Sequence, residues 1–240
     1  MTKMMRYTHL LFDLDNTLLD FSRSARMGFS DTMQRFGLAD TPEYWDIYQR
    51  HNHQCWAERE AGRMDLDTLR RTRFRLFAEE IGHPRLDGWA MNAHFLHAMA
   101  DQPIPVAGAQ ALLEHLRATG YRLSIITNGL KEVQRLRIER AGWTALFDVI
   151  VVSDEMGAAK PDPAFFDHTF ERLGHPDKSA CLVIGDNLHS DILGGVRYGV
   201  DTCWFNYRRA ELPVLEFAPT YAIEELGQLV EIVDPTKEEK

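Results

Sequence analysis

Two aspartates, Asp13 and Asp15, interrupt an apolar run near the start of a 240-residue chain. They stand two positions apart, so in extended backbone they share a face. Their neighbours Phe12 and Leu14 are residues that fold inward, and two charges placed there need a partner. Farther along, other polar residues follow apolar runs: Thr127 and Asn128, then Ser153, Asp154 and Lys160, then Asp186, Asn187 and Asp191. Carboxylates from separate segments repel one another unless a cation sits among them. A hard divalent ion answers this. Magnesium, with manganese as the alternative, takes oxygen ligands and retains several waters. Lys160 adds a second positive charge, so the set is suited to an anionic ligand.

Positioning these residues falls to five short apolar runs: Tyr7 to Phe12, Tyr121 to Thr127, Phe147 to Ser153, Ala180 to Gly185 and Asp201 to Asn206. They do not alternate with polar residues, which predicts strands of a parallel sheet covered on both faces. Helical patterns lie between them at Ala107 to Thr119, Leu130 to Arg140, Pro163 to Leu173 and His189 to Tyr198, each stopped by a glycine. This alternation predicts an α/β fold with a doubly wound sheet and right-handed crossovers. In such sheets ligands bind beyond the carboxyl ends of the strands, where the polar residues above all fall.

One stretch departs from the pattern. Residues 21–102 hold four helical patterns (Ser22 to Phe36, Pro42 to Glu60, Asp67 to Ile81, Leu86 to Ala100) and no strand. That is too long for a connection. It predicts a helical subdomain inserted between a first segment, 1–20, and the remaining core, 103–240. QPIPVAG, with two prolines, reads as the return hinge.

Composition narrows the partners. A net charge of −9 argues against polynucleotides and anionic membranes, which need a basic footprint. No apolar run approaches a membrane span, and the start has no signal-peptide pattern, so a cytoplasmic protein is expected. Cys55, Cys181 and Cys203 form no CxxC pair, and Cys181 and Cys203, in apolar runs, read as small buried side chains. The tail DPTKEEK reads as solvated.

Taken singly, most candidates have bland readings. An aspartate after a strand is often a helix cap, and Thr127-Asn128-Gly129 could be a plain turn. The pairs His51/His53 and His94/His97 lack a third ligand. Arg70, Arg71, Arg73 and Arg75, with Asp65 and Asp67, read as a charged helix face. Gly194 and Gly195 do not make a dinucleotide fingerprint.

The joint pattern is another matter. FDLDNTL, ITNG, AKPDPAFF and IGDNLHSDILGG, in that order, resemble the four motifs of the haloacid dehalogenase superfamily of phosphatases. The resemblance implies a Rossmann-like core with a helical cap after the first strand, a cap that would exclude water and read the leaving group. It implies that Asp13 is the nucleophile that attacks phosphorus and a magnesium ligand. Asp15 would serve as acid and then base, offering magnesium its main-chain carbonyl. Acid work needs Asp15 to carry its proton at neutral pH, which neighbouring carboxylates and exclusion of water would favour. Thr127 and the backbone N–H of Asn128 would hold phosphoryl oxygens. Lys160 would balance charge, Asp186 would bind the metal, and Asp191 would support a metal-bound water or Lys160.

Three stretches, IITNGLKEVQRLRIERAGW, AAKPDPAFFDHTFERLGHPDKS and IGDNLHSDILGGVRYGVDTCWFN, are similar to the house-cleaning pyrimidine 5′-nucleotidases of bacteria. This implies hydrolysis of a nucleoside 5′-monophosphate; separately, a monomer or weak homodimer is expected. The alternatives are a sugar-phosphate or other small-metabolite phosphatase, a phosphomutase, a dehalogenase and a non-catalytic nucleotide sensor. Asp15 argues against the dehalogenase, since those enzymes lack that acid. Phe21, Trp45, Tyr48, Trp56 and Arg63 could meet a base, although packing within the insert accounts for most of them.

Overall fold

The computed structural model describes residues 5–234, apart from the side chain of Glu60. The tail expected to be solvated lies almost wholly outside that range. In chain order the elements are β1 (His9–Phe12), α1 (Phe21–Arg35), α2 (Pro42–Glu60), α3 (Leu66–Glu80), α4 (Gly88–Asp101), α5 (Ala109–Thr119) and β2 (Arg122–Thr127). They continue with α6 (Lys131–Arg140), β3 (Val149–Val152), α7 (Ser153–Met156), α8 (Pro163–Leu173), β4 (Cys181–Gly185), α9 (Leu193–Tyr198), β5 (Asp201–Phe205), β6 (Tyr221–Ile223) and α10 (Leu229–Val233). They form two compact units, one running to Phe21 and resuming at Pro103, the other Ser22–Gln102.

The first unit is a six-stranded sheet of order β3-β2-β1-β4-β5-β6, parallel at every pairing. Both faces are covered, as the unbroken apolar runs require. Leu10 and Phe12 of β1 join Leu123, Ile125, Leu182 and Ile184 in a core with Leu112, Leu113 and Leu116 of α5. Leu11, pointing the other way, joins Ile126, Val183 and the α8 residues Phe165, Phe166 and Phe170. Each such fully buried side chain contributes about 1.5–3 kcal/mol relative to exposure. β6 is the strand the sequence patterns miss. It is three residues long at the sheet edge, too short to show a period.

Where residues 18–20 leave this unit and 104–106 return, the backbone pairs across. Val106 N–H donates to Leu18 O at 2.9 Å and Asp20 N–H to Ile104 O at 2.8 Å. The expected hinge is thus a tied pair of segments.

In the second unit, α2, α3 and α4 each begin with a side-chain cap, from Thr41, Asp65 and Asp87. Its core is aromatic: Phe29, Tyr48, Phe74, Phe77 and Phe95 are buried. Tyr48 stacks on Trp45 at 5.6 Å between centroids. Core packing therefore accounts for Tyr48, while Arg63 is exposed and pairs with Glu58.

One expectation fails here. Arg73 belongs to no charged face; it is buried, donating to Asn92 Oδ1 at 2.8 Å and Asn52 Oδ1 at 2.9 Å. Its position on α3 places it on the stripe that holds Leu69, Phe74 and Phe77, and helical geometry outweighs residue type.

Candidate active site

In this strand order the chain path reverses between β1 and β4, and the crevice beyond the carboxyl ends of those two strands is where such sheets bind ligands. Asp13 immediately follows β1 and Asp186 immediately follows β4. The loop after β1 is tight: Leu18 and Leu19 both donate backbone N–H groups to Leu14 O, and Asn16 takes a left-handed φ of 60°. Asparagine is among the few residues with a side chain that visit this region readily.

The loop is joined to its neighbour by Thr17, fully buried, whose hydroxyl accepts the backbone N–H of Asp186 at 3.1 Å. On the other side Trp204 donates its indole N–H to Asp186 O at 2.9 Å. Asp186 is thereby held at both backbone polar groups.

Lys160 is buried and spends its ammonium protons on three acceptors: Asp13 Oδ1 at 2.8 Å, Asp191 Oδ1 at 2.6 Å and Ile126 O at 2.6 Å. Its backbone is clasped by the Asn128 carboxamide. Asn128 Nδ2 donates to Lys160 O at 2.8 Å, and Lys160 N–H donates to Asn128 Oδ1 at 2.9 Å. Sequence reasoning gave Asn128 only a backbone role; its side chain has this second task.

Asp191 reaches the lysine because residues Leu188–Ile192 form a π-helical turn ahead of α9, where a plain helix from His189 was expected. Its other oxygen, Oδ2, accepts Asn187 N–H at 3.0 Å. No side chain fits beneath it: a Cβ on Gly185 would lie 2.2 Å from Asp191 Oδ2.

Oxygen atoms of Asp13, Asp186 and Asp191 lie within 4.8 Å of one another, and this is the one such acidic group among the described residues. Burial raises Asp13 to about 7 and Asp186 to about 8; Asp191 adds to both, and Lys160 only partly opposes it. Burial alone would lower Lys160, yet the two carboxylates at its ammonium raise it. The cluster is short of positive charge. Asp13 Oδ2 is also buried without a hydrogen-bond partner. An orphaned buried carboxylate oxygen in an all-oxygen donor set fits a hard divalent cation such as magnesium.

Asp15 is held by two residues of α6 that the sequence patterns did not single out. Gln134 Nε2 donates to Asp15 Oδ2 at 2.7 Å and to Thr127 Oγ1 at 2.8 Å. Arg137 Nη1 donates to Asp15 Oδ1 and, at 3.0 Å, to Gln134 Oε1. Gln134 and Arg137 share the buried face of α6 with Val133 and Ile138. Polar residues in register with apolar ones were the available signal.

The histidine pairs stay outside any such cluster. His51 bonds Glu80 at 2.7 Å and His94 bonds Asp31 at 2.6 Å. Asp154 accepts the N–H of Lys131 at 3.1 Å, at the start of α6. All three cysteines are buried and free. No helix among the described residues is long and apolar enough to cross a membrane.

Comparison with known proteins agrees with this geometry. The chain is 34% identical over 229 residues to pyrimidine 5′-nucleotidase YjjG of Escherichia coli, covering 95% of this chain and 99% of that one. It is 31% identical to pyrimidine 5′-nucleotidase PynA of Streptococcus pneumoniae, with 98% and 99% covered. The putative HAD-hydrolase YfnB of Bacillus subtilis, solved bound to magnesium, superposes with a TM-score of 0.88 at 32% identity, over 95% of this chain and 99% of that one. The family model for haloacid dehalogenase-like hydrolases matches residues 7–199, and the chain belongs to that family.

Proposed function

We propose that this hydrolase is a magnesium-dependent phosphatase that cleaves pyrimidine nucleoside 5′-monophosphates through a phosphoryl group carried on Asp13. The observation that carries the reading is the state of Asp13: one oxygen on Lys160 and the other buried and unpartnered, in a carboxylate grouped with those of Asp186 and Asp191.

Asp13, Asp186 and the main-chain carbonyl of Asp15 would hold the cation, which supplies neutralisation of phosphoryl charge when bound. Asp13 attacks phosphorus in line as the bond to the leaving oxygen breaks. Asp15 gives that oxygen its proton, then takes one from the water that attacks phosphorus and frees Asp13. Splitting one hydrolysis into two displacements is what a carboxylate nucleophile offers. Thr127 accepts a hydrogen bond from Gln134, which leaves its own hydroxyl proton to donate to a phosphoryl oxygen. The backbone N–H of Asn128 joins it. Positioning and charge neutralisation supply most of the catalysis of such transfers.

The substrate class rests on full-length similarity to two proteins named as pyrimidine 5′-nucleotidases. The helical unit, inserted in the chain directly after the loop that bears Asp13, is the segment assigned to reading the leaving group. Phosphate release from a panel of monoesters, with and without magnesium, tests the proposal. Pyrimidine nucleotides should give the highest kcat/KM; a sugar phosphate outranking every nucleotide would refute the substrate class.

A further inference from the structure

We infer that Gln134 and Arg137 are positioning residues that set the carboxyl of Asp15 for proton transfer to the leaving group. The inference rests on the phosphatase reading and extends it to two side chains outside the recognised motifs.

The two form one network with a single consistent direction. Arginine has only donors, so Arg137 Nη1 fixes Gln134 with its Oε1 facing the guanidinium. The Gln134 Nε2 must then face Asp15 and Thr127, and it donates to both. Asp15 has each oxygen engaged by a different side chain, Oδ1 by Arg137 and Oδ2 by Gln134. Two anchors on two oxygens fix the plane of a carboxyl, where one would leave it to rotate.

The anchors are themselves immobilised. Arg137 is fully buried and Gln134 nearly so, while the side chain of Asp15 is 28% exposed. The guanidinium lies 5.9 Å from the ring centre of Phe21, and its Nε and Nη2 have no partner. Burying an arginine with open donors is costly. A merely structural arginine would be expected to use more of its fork on the fold, whereas this one directs Nη1 at Asp15 and at the glutamine that shares it.

Gly129 belongs to the same device. A Cβ there would stand 2.4 Å from Gln134 Nε2 and 2.5 Å from its Cδ, so the glycine after Thr127-Asn128 is what admits the glutamine to the site.

In the first displacement, the P–O bond to the leaving group breaks as Asp13 bonds to phosphorus, and the leaving oxygen takes the Asp15 proton. An alkoxide needs that proton; p-nitrophenolate, a far weaker base, hardly does. Loss of the cradle should therefore fall selectively on alkyl esters. The test is kcat/KM for UMP and for p-nitrophenyl phosphate, both measured on one preparation so that their ratio is independent of the folded fraction.

Arg137→Met should lower the UMP to p-nitrophenyl phosphate ratio by about 10- to 100-fold, part of what general acid catalysis contributes. Arg137→Lys, which keeps a donor able to hold Asp15, should recover part of it. Gln134→Leu should lower the ratio too, with a higher KM for both esters because Thr127 loses its partner. Asp15→Asn combined with Arg137→Met should show no further fall in the ratio. An unchanged ratio in all the cradle variants, with wild type active on both esters, overturns the positioning role alone. Wild type inactive on both overturns the phosphatase reading, and the inference with it.

Discussion

Lys160 and Asp191 are buried partners: the ammonium lies 2.6 Å from Asp191 Oδ1 while also holding Asp13 at 2.8 Å. One lysine therefore serves a candidate nucleophile and the residue that steadies it. Removing one member of a buried ionic set leaves the others uncompensated. Lys160→Met should abolish turnover and cost about 3–5 kcal/mol of stability in the metal-free chain, read from the urea midpoint. Full activity in that variant would contradict the charge assignment.

The glycine beneath Asp191 gives a second expectation. Gly185→Ala places a methyl 2.2 Å from Asp191 Oδ2, and Asp191 has to move off Lys160. Its kcat should fall as it does in Asp191→Asn, by a comparable factor, though no charge is altered. Wild-type kcat in Gly185→Ala would show that the Asp191–Lys160 contact is dispensable.

Magnesium should stabilise the protein, and more so at higher pH. Asp13 and Asp186 are raised in the fold by burial, to about 7 and about 8. A raised carboxyl contributes stability that is fully present below its unfolded value and lost as pH climbs through the folded one. The metal-free chain thus loses this contribution between about pH 4 and pH 8. The same ionised oxygens are those a cation needs. The rise in Tm on adding magnesium should be larger near pH 8 than near pH 5; an equal rise at both, or none, would speak against metal binding by this cluster.

A fourth expectation concerns the helical unit alone. Arg73→Met strands the amide oxygens of Asn52 and Asn92, and each buried unsatisfied group costs about 1–3 kcal/mol. The variant should be destabilised in urea. Replacing both asparagines by leucine alongside it should restore much of the loss, because polar groups and their partner are then removed together. Equal stability of Arg73→Met and wild type would mean that the buried guanidinium holds nothing.

How far the sequence carries the reader differs by feature. Strands β1 to β5 are legible because a parallel strand buried on both faces is an unbroken run of apolar residues such as Leu10–Phe12 and Val149–Val152. β6 is not, since an edge strand of three residues needs no such run. Asp13 and Asp15 stand out because charge beside a buried run demands a reason, whereas Lys160 and Asp186 stand out only in the joint pattern. Gln134 and Arg137 pass unnoticed for the opposite cause: on an exposed-looking helix rich in charge they resemble solvated residues, as Arg73 does on α3. Which face of a helix a polar residue occupies depends on what packs there. The π-helical turn at Leu188–Ile192 is likewise invisible, since its residues carry no local pattern that separates it from an ordinary helix start, and its contact with Lys160 spans 31 positions of chain.

The central claim is that Asp13 takes the phosphoryl group. Rapid quenching of the protein with UMP and magnesium in acid, followed by mass spectrometry of the peptide bearing Asp13, tests it directly. The account predicts a transient phosphoryl adduct on Asp13, longer-lived in Asp15→Asn and absent in Asp13→Asn, which releases no phosphate. Phosphate released at the wild-type rate by Asp13→Asn, with no adduct on any carboxylate, would contradict it.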